Sequence, residues 1–284
     1  MQLDIPHLTT WVGRTSTSVD EVRRAPIEAL AATLDWDDPA SAFAGPLPPL
    51  WHWLLFVPMA RQSELGPDGH ARRGGFLPPV PLPRRMFAGG EHTFLKPILP
   101  GDALTRTSRI QDVKFKEGRS GPLVFVTVEH AIERAGECVL RERQDLVYRE
   151  PPSLGDPAPT SRAAPLDHAF EMEIRPDDVL LFRYSALTFN GHRIHYDRRY
   201  VTQVEGYPGL IVHGPLIATL LLELVRRRLP GVSVARFAFR SIRPLFDIAP
   251  FFVCGRPEAD GKRVALWAKN AEGWVAMEAH ADLA

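Results

Sequence analysis

The stretch His213–Arg228 (HGPLIATLLLELVRRR) constrains this chain more than any other. Leu216, Leu220 and Leu224, with Ile217 and Leu221 beside them, fall on one broad apolar face at helical spacing. Pro215 sits where a first-turn proline belongs, and Pro230-Gly231 ends the run. A helix this apolar must be covered on most of its sides. The residues after it can do so, because Ser233–Ile242, Phe251–Gly255, Arg263–Ala268 and Trp274–Leu283 read as four strands. An antiparallel sheet curved around the helix is therefore expected.

A second strand block lies earlier, between Met86 and Tyr148. Phe94, Ile98 and Leu104 bracket a Pro-Gly turn there, and Thr105–Val113, Leu123–Glu133 and Glu137–Tyr148 follow, separated by turn signals at Lys116–Pro122 and Ala135-Gly136. The two blocks resemble each other. Phe94–Leu99 lies over Ser241–Phe246 with Pro97 on Pro244, an offset of 147, and Gly136 through Leu146 lies over Gly273 through Leu283, an offset of 137. The shift between the offsets fits a longer Lys114–Pro122 loop in the first block. Between the blocks, Glu150–Pro165 (EPPSLGDPAPTSRAAP) has almost no large apolar residue, the composition of an exposed linker. The expected organisation is an N-terminal unit at 1–150, a linker at 151–166 and a C-terminal unit at 167–284, each an α+β unit whose sheet wraps one long helix.

The elements ahead of the first block are less regular. Ser18–Trp36 carries helical spacing in Val19, Val22, Ile27, Leu30 and Leu34, with Ser18 as its N-cap and Pro26 either starting or interrupting the main helix. Leu50–Met59 is a short buried element that fits the role of central helix of the N-terminal unit. Gln62–Arg85, rich in Gly and Pro, reads as a long surface loop, either near a site or simply solvated. Ile174–Thr188 is short and apolar around Val179–Phe182.

Charge and cysteine content exclude several classes. Lys plus Arg and Asp plus Glu balance at 34 each, so no global field draws the chain to nucleic acid or an anionic membrane. Any anionic ligand must be held by a local basic site. Met1–Thr10 lacks the basic start and apolar core of a signal peptide, and no apolar run reaches the roughly 18 residues of a membrane span, so a cytoplasmic protein is expected. Cys138 and Cys254 offer neither a disulfide framework nor a thiolate metal cluster.

Chemistry concentrates just ahead of the apolar helix, where Thr188–Asp197 brings Asn190, His192, Arg193 and His195 close together and His213-Gly214-Pro215 follows. The run Tyr184–Asp197 (YSALTFNGHRIHYD), with Gly206-Tyr207-Pro208-Gly209 and His213-Gly214-Pro215-Leu216, resembles the hydratase motif of the MaoC-like, (R)-specific enoyl-CoA hydratases. It is closer still to their double-hotdog branch, which holds hydroxyacyl-thioester dehydratase type 2, mesaconyl-C4-CoA hydratase and itaconyl-CoA hydratase. Met86–Asp102 (MFAGGEHTFLKPILPGD) resembles the first, degenerate hotdog of that branch, so the resemblance covers most of the chain. It implies a double hotdog fold, an acyl-CoA thioester substrate, an acyl pocket from the first unit and no cofactor, and it is compatible with a homo-oligomer.

In the wider family the loop reads Gly-Asp-x-Asn-Pro-x-His, and its aspartate and histidine hold the water added across the enoyl double bond. Here His195 falls on the histidine, while Asn190 stands at the aspartate, His192 at the asparagine and Arg193 at the proline. An amide cannot take a proton. Asn190 is therefore expected to orient the water while His195 does the acid–base work, with His192 supporting them. The thioester oxygen gains charge as hydroxide adds, and a helix start offers it free N–H groups; Gly214 has one and Pro215 has none. Gly214 serves either as that donor or simply as the start of the helix.

The expected substrate contacts are Arg193, Tyr184, His213, Arg240 and Arg243. Arg193 either pairs with the carboxylate of a dicarboxylic acyl group or braces the loop against Asp197. His213 is either a packed histidine or a site residue, and Arg236, Arg240 and Arg243 either meet CoA phosphates or cover a solvated face. Although His192, His195 and His213 supply three imidazoles, the helical HExxH context is missing and no metal is expected. No Gly-rich nucleotide fingerprint and no GxSxG elbow occurs, which argues against a redox cofactor and a serine hydrolase. The expected activity is hydration of an enoyl-CoA, preferentially itaconyl-CoA or mesaconyl-C4-CoA to citramalyl-CoA. The alternatives are a 3-hydroxyacyl-thioester dehydratase of fatty-acid metabolism, a hotdog acyl-CoA thioesterase and a non-catalytic acyl-CoA-binding protein.

Overall fold

Alternating apolar residues build strands that all pair antiparallel in one continuous sheet. The computed structural model describes residues 3–118, 121–151 and 161–284. Its strands are β1 (Thr15–Glu21), β2 (Arg84–Phe94), β3 (Ala103–Gly118), β4 (Gly121–Arg134), β5 (Glu137–Arg149), β6 (Phe170–Ile174), β7 (Val234–Ser241), β8 (Phe251–Pro257), β9 (Arg263–Asn270) and β10 (Val275–Leu283). Their order is β1-β3-β4-β5-β2-β7-β10-β9-β8-β6, so the second half repeats the first about the β2/β7 junction. At that junction Gly89–Thr93 pair with Arg240–Arg236. A side chain at Gly89 would bring its Cβ within 2.6 Å of the Phe239 carbonyl oxygen, so the two halves meet where only glycine fits.

The internal repeat reaches down to single hydrogen bonds. Leu95 and Lys96 both donate to the Val139 carbonyl, at 2.9 and 3.1 Å, and Ile242 and Arg243 both donate to the Ala276 carbonyl, at 2.8 and 3.2 Å. Leu95 and Ile242 differ by 147 positions and Val139 and Ala276 by 137, the offsets read from the sequence. Strands β3 and β4 have 16 and 14 residues, whereas their counterparts β8 and β9 have 7 and 8, and the shift in offset is absorbed there.

The helices are α1 (Ile5–Thr9), α2 (Arg24–Thr33), α3 (Asp178–Leu187), α4 (Arg198–Gln203) and α5 (Gly214–Arg228). Helix α5 lies across β8, β9 and β10 with every residue from Leu216 to Val225 buried. Burying one such leucine contributes roughly 1.5–3 kcal/mol, so the helix and its sheet stabilise each other. Glu223 is the one charged residue inside that span, and Arg226 and Arg227 donate to its carboxylate at 2.8 and 2.7 Å.

The first half does not repeat this helix. Leu50–Met59, expected as its central helix, makes only a 3-10 turn at Trp51–Leu54. Leu50 and Phe56 both adopt positive φ (70° and 54°), which bounds the turn on each side and prevents a longer helix. The sheet opposes a helix there too. The positions of β2 and β5 that correspond to Phe239 and Ala279 in the repeat are His92 and Glu142, and a buried polar row, Ser108, His130, Glu142 and His92, crosses β3, β4, β5 and β2. Glu142 accepts from Trp53 Nε1 at 2.8 Å and Gln144 Nε2 at 2.7 Å, and faces His52 Nε2 and His92 Nε2 at 3.2 and 3.3 Å.

Other boundaries also moved. The helix expected over Ser18–Trp36 is split: Thr15–Glu21 is taken by the edge of β3, with Thr15 opposite Arg109, and α2 begins only at Arg24, with Pro26 in its first turn. Ile174–Thr188 contains α3, whose start is capped by the Asp177 carboxylate accepting from Leu180 N–H at 2.7 Å. The expected linker falls largely on 152–160, outside the described residues. Among the described residues no helix is long and apolar enough to cross a membrane.

Leu221 is fully buried in α5. Replacing it with alanine is expected to lower unfolding stability by about 2–5 kcal/mol, seen as a lower urea midpoint with an unchanged slope.

Candidate active site

The polar loop leaves α3 and folds on its own short hydrogen bonds. Asn190 N–H donates to the Ser185 carbonyl at 2.8 Å, and the Asn190 side-chain oxygen accepts from His192 N–H at 3.0 Å. This local turn leaves the amide NH2 of Asn190 as the part able to meet a ligand. A 3-10 turn, Arg193–His195, follows, and Asp197 then caps α4 by accepting from Tyr200 N–H at 2.9 Å.

His195 is fixed by the backbone that leads into α5. Its Nδ1 lies 2.7 Å from the Ile211 carbonyl oxygen, and Ile211 N–H donates back to the Ile194 carbonyl at 3.0 Å. A carbonyl only accepts, so Nδ1 carries the proton and Nε2 holds a free lone pair. The ring stacks on His213, with centroids 3.7 Å apart, and meets His192 edge-on at 5.4 Å. His192 in turn packs against His70 at 4.0 Å, and His70 Nδ1 faces the Asp68 carboxylate at 3.1 Å.

Burial keeps this row of imidazoles neutral. It lowers the His195 pKa to about 4, against the opposing pull of the Ile211 carbonyl. Burial likewise pushes His192, His213 and His70 down, and for His192 the neighbouring His70 and His195 add to the effect. His213 is the residue before α5, and Gly214 opens the helix. The atom nearest to where a Gly214 side chain would sit is Ser241 Oγ at 3.8 Å, so the space over the helix start is open.

A cavity of about 880 Å³ adjoins the loop. Ser185, Asn190 and Gly191 form its wall on one side, and Leu65, His70, Phe76, Arg85 and Tyr148 of the first half complete it. His192, His195 and Gly214 do not line it; His192 lies against the lining residue His70. The Gln62–Arg85 segment is thus a wall of the site. Gly69, at φ +88°, packs so tightly on the loop that a Cβ would fall 1.8 Å from the Gly191 carbonyl oxygen, which only glycine permits. Asp68, His70, Arg85 and Tyr148 were missed by the sequence reading; the Pro67-Asp68-Gly69-His70 turn beside the other histidines was the available signal.

Of the expected substrate contacts Arg193 lines the cavity, whereas Tyr184, His213, Arg240 and Arg243 do not. Arg193 braces the loop: Nε and Nη2 donate to Asp197 at 3.0 and 2.8 Å, Nη1 donates to the Pro67 carbonyl at 3.0 Å, and the guanidinium covers the Tyr200 ring. Each of its three nitrogens makes one bond within the protein, and the side chain also lines the cavity. Tyr184 is buried edge-on to His213, and His213 is buried with Nε2 at 2.8 Å from Ser185 Oγ, so both support His195 from the core. Arg240 lies on the sheet face opposite α5, in a shallow groove with Arg143 and Glu278, because Phe237, Phe239 and Ser241 take the inner positions. Arg243 lies beyond β7 against Ser161.

Metal-ligand types do gather, in His52, His92 and Glu142, in Asp68, His70 and His192, and in His168, Glu171 and Cys254. In the first group burial would raise the Glu142 pKa, but hydrogen bonds from His52 and His92 hold it well below the usual range. The group is an ionised carboxylate closed by four donors. Of the three imidazoles weighed as metal ligands, His195 and His213 stack face to face with a nitrogen each engaged by the protein.

Comparison with known proteins places this geometry. The family model for hydroxyacyl-thioester dehydratase type 2 matches residues 50–247. A mesaconyl-C(4)-CoA hydratase of Chloroflexus aurantiacus is 49% identical over 274 residues, covering 96% of each chain. Among solved structures, a MaoC-like dehydratase superposes with a TM-score of 0.71 at 18% identity, covering 97% of this chain and 99% of its own. A Mycobacterium tuberculosis protein described as having a double hotdog fold superposes with a TM-score of 0.53 at 14% identity over 96% of each chain. The ten-stranded sheet is such a double hotdog, with its first unit lacking the long helix.

The neutral histidines carry a cost in acid. Burial lowers the pKa of His52, His70, His130, His192, His195 and His213, so each takes up a proton on unfolding below about pH 6.5. Unfolding stability is expected to be highest above that pH and to fall continuously as pH drops towards 4, measured by urea denaturation at stepped pH. The Ser185→Ala variant, which leaves His213 Nε2 without its partner, is expected to lose roughly 1–3 kcal/mol in the same assay at pH 7.5.

Proposed function

The chain belongs to the hydroxyacyl-thioester dehydratase type 2 family, and from that premise we propose that it adds water to a C5 dicarboxylyl-CoA, taking mesaconyl-C4-CoA or itaconyl-CoA to citramalyl-CoA with His195 as the base. It is a hydro-lyase acting on acyl-CoA thioesters. The 49% identity to a mesaconyl-C(4)-CoA hydratase supports the choice of acyl group. The observation that carries the assignment of the base is the hydrogen bond from His195 Nδ1 to the Ile211 carbonyl, which leaves Nε2 unprotonated.

The steps follow from that tautomer and are those of mesaconyl-C4-CoA, whose double bond is conjugated with the thioester. The amide of Asn190 holds a water, and His195 Nε2 takes a proton from it as the hydroxide oxygen bonds to the β-carbon. The electron pair of the double bond moves towards the thioester carbonyl, whose oxygen becomes an enolate oxygen. Gly214 N–H and the positive end of the α5 dipole stabilise it. The proton on His195 then passes to the α-carbon, so one imidazole serves both transfers and no second carboxylate is needed. Asn190 is competent for this role because it never has to ionise. The first half contributes the acyl side of the chamber through the cavity wall.

His195→Ala is expected to lower kcat/KM for mesaconyl-C4-CoA by about 100-fold or more, followed as loss of the enoyl-thioester absorbance. Near-wild-type turnover would remove His195 from the chemistry. Because burial lowers the His195 pKa to about 4, the hydration rate is expected to stay level as pH falls through 6.5 and to decline only towards pH 4, read from initial rates after a pH jump. Appearance of free CoA in place of absorbance loss would instead indicate thioester hydrolysis.

A further inference from the structure

Among the described residues, two donors in the cavity wall make no hydrogen bond to an acceptor. Arg85 and Tyr148 are direct cross-strand partners on β2 and β5, and both line the cavity that Asn190 also lines. Tyr148 is fully buried, Arg85 lies close enough to act on its oxygen, and among the described residues its hydroxyl proton has no acceptor. A buried hydroxyl without an acceptor gives up its hydrogen bonds to water with nothing in return, so a fold that keeps one has a reason for it.

The other arginines near the cavity are committed. Arg193 is held by Asp197 and the Pro67 carbonyl. Arg73 donates to the carbonyls of Val80, Leu82 and Pro83, and Arg72 to that of Leu65. Arg84, the neighbour of Arg85 in β2, is paired with Glu205 and donates to Tyr207 Oη at 3.1 Å. Among the described residues Arg85 has no ion-pair partner. Asp68 lies within its electrostatic reach, but both Asp68 carboxylate oxygens accept from His70. Arg85 also acts electrostatically on His70 and His192, which places its charge beside the catalytic loop.

We propose that Arg85, with the Tyr148 hydroxyl beside it, binds the free carboxylate of the acyl group and so selects dicarboxylyl-CoA substrates. This rests on the dicarboxylyl reading of the substrate given above. In mesaconyl-C4-CoA the free carboxylate is bonded to the β-carbon that receives the hydroxide. An anchor for it must therefore share a chamber with the residue that holds the water, as Arg85 does with Asn190. A guanidinium can donate to both oxygens of a carboxylate at once, and the phenol can add a third bond. Burial pushes the Tyr148 pKa up, with Arg85 and Arg73 opposing, so the phenol keeps its proton and can donate. The same pair gives no benefit to an acyl chain that ends in a methyl group.

The test is the ratio of kcat/KM for mesaconyl-C4-CoA to kcat/KM for crotonyl-CoA in the full-length protein. Arg85→Met is expected to lower that ratio by roughly 10–100-fold, Arg85→Lys by less, and Tyr148→Phe by a few-fold. Circular dichroism of each variant checks folding, and should Arg85→Met fail to fold, Arg85→Lys and Tyr148→Phe carry the same comparison. An unchanged ratio in these variants, with wild-type protein active on mesaconyl-C4-CoA, would overturn the subsite alone. A wild-type protein that turns over crotonyl-CoA and no dicarboxylyl-CoA would overturn the substrate reading and the subsite with it.

Discussion

The hydrogen bond from His195 to the Ile211 carbonyl is the constraint on which the site depends. It fixes the tautomer, and with the return bond from Ile211 N–H to Ile194 it ties the polar loop to the segment that opens α5. His213, the residue before the helix, is stacked on the same ring. His195, the proposed base, and the start of α5, the proposed oxyanion donor, are thus parts of one packed unit. Their separation is set by backbone bonds rather than by flexible side chains, the form of preorganisation that electrostatic stabilisation needs. Burial adds the condition that every imidazole in the row stays neutral at pH 7.

Duplication explains why the two halves share a sheet plan and differ in what packs against it. The same hairpin bonds recur at Val139 and Ala276, yet the helix-facing positions have diverged. Phe239 and Ala279 are apolar and pack with the core cluster that holds α5, while their counterparts His92 and Glu142 belong to a buried ionised network that would strand an apolar helix against a charge. The Gln62–Arg85 segment packs Val80 and Leu82 on the strands of the first half and walls the cavity beside Asn190.

The parts of this arrangement that were legible in the sequence are those set by periodicity. The apolar run of α5, the strands of β3–β5 and β7–β10 and the two offsets of the repeat all depend on local spacing, which the chain carries openly. Leu50–Met59 read only as a short buried element of unsettled type that could serve as a central helix, because the two positive-φ residues that bound its single 3-10 turn are invisible to hydrophobic spacing. Tyr184 was placed on the substrate as a neighbour of the histidines in sequence, and Arg193 was read either as a carboxylate partner or as a brace against Asp197. Their side chains leave in other directions, into the core and onto Asp197. Arg85 and Tyr148 were missed for the opposite reason: they come together through cross-strand pairing, far from the motif in the chain.

The central claim is the protonation state of one ring. Nitrogen-15 NMR of the histidine side chains in the resting protein at pH 7, with His195 assigned by comparison with its alanine variant, reads it directly. The account predicts a neutral His195 with the proton on Nδ1 and an unprotonated Nε2. A His195 protonated at Nε2, whether as the other tautomer or as an imidazolium, would contradict it.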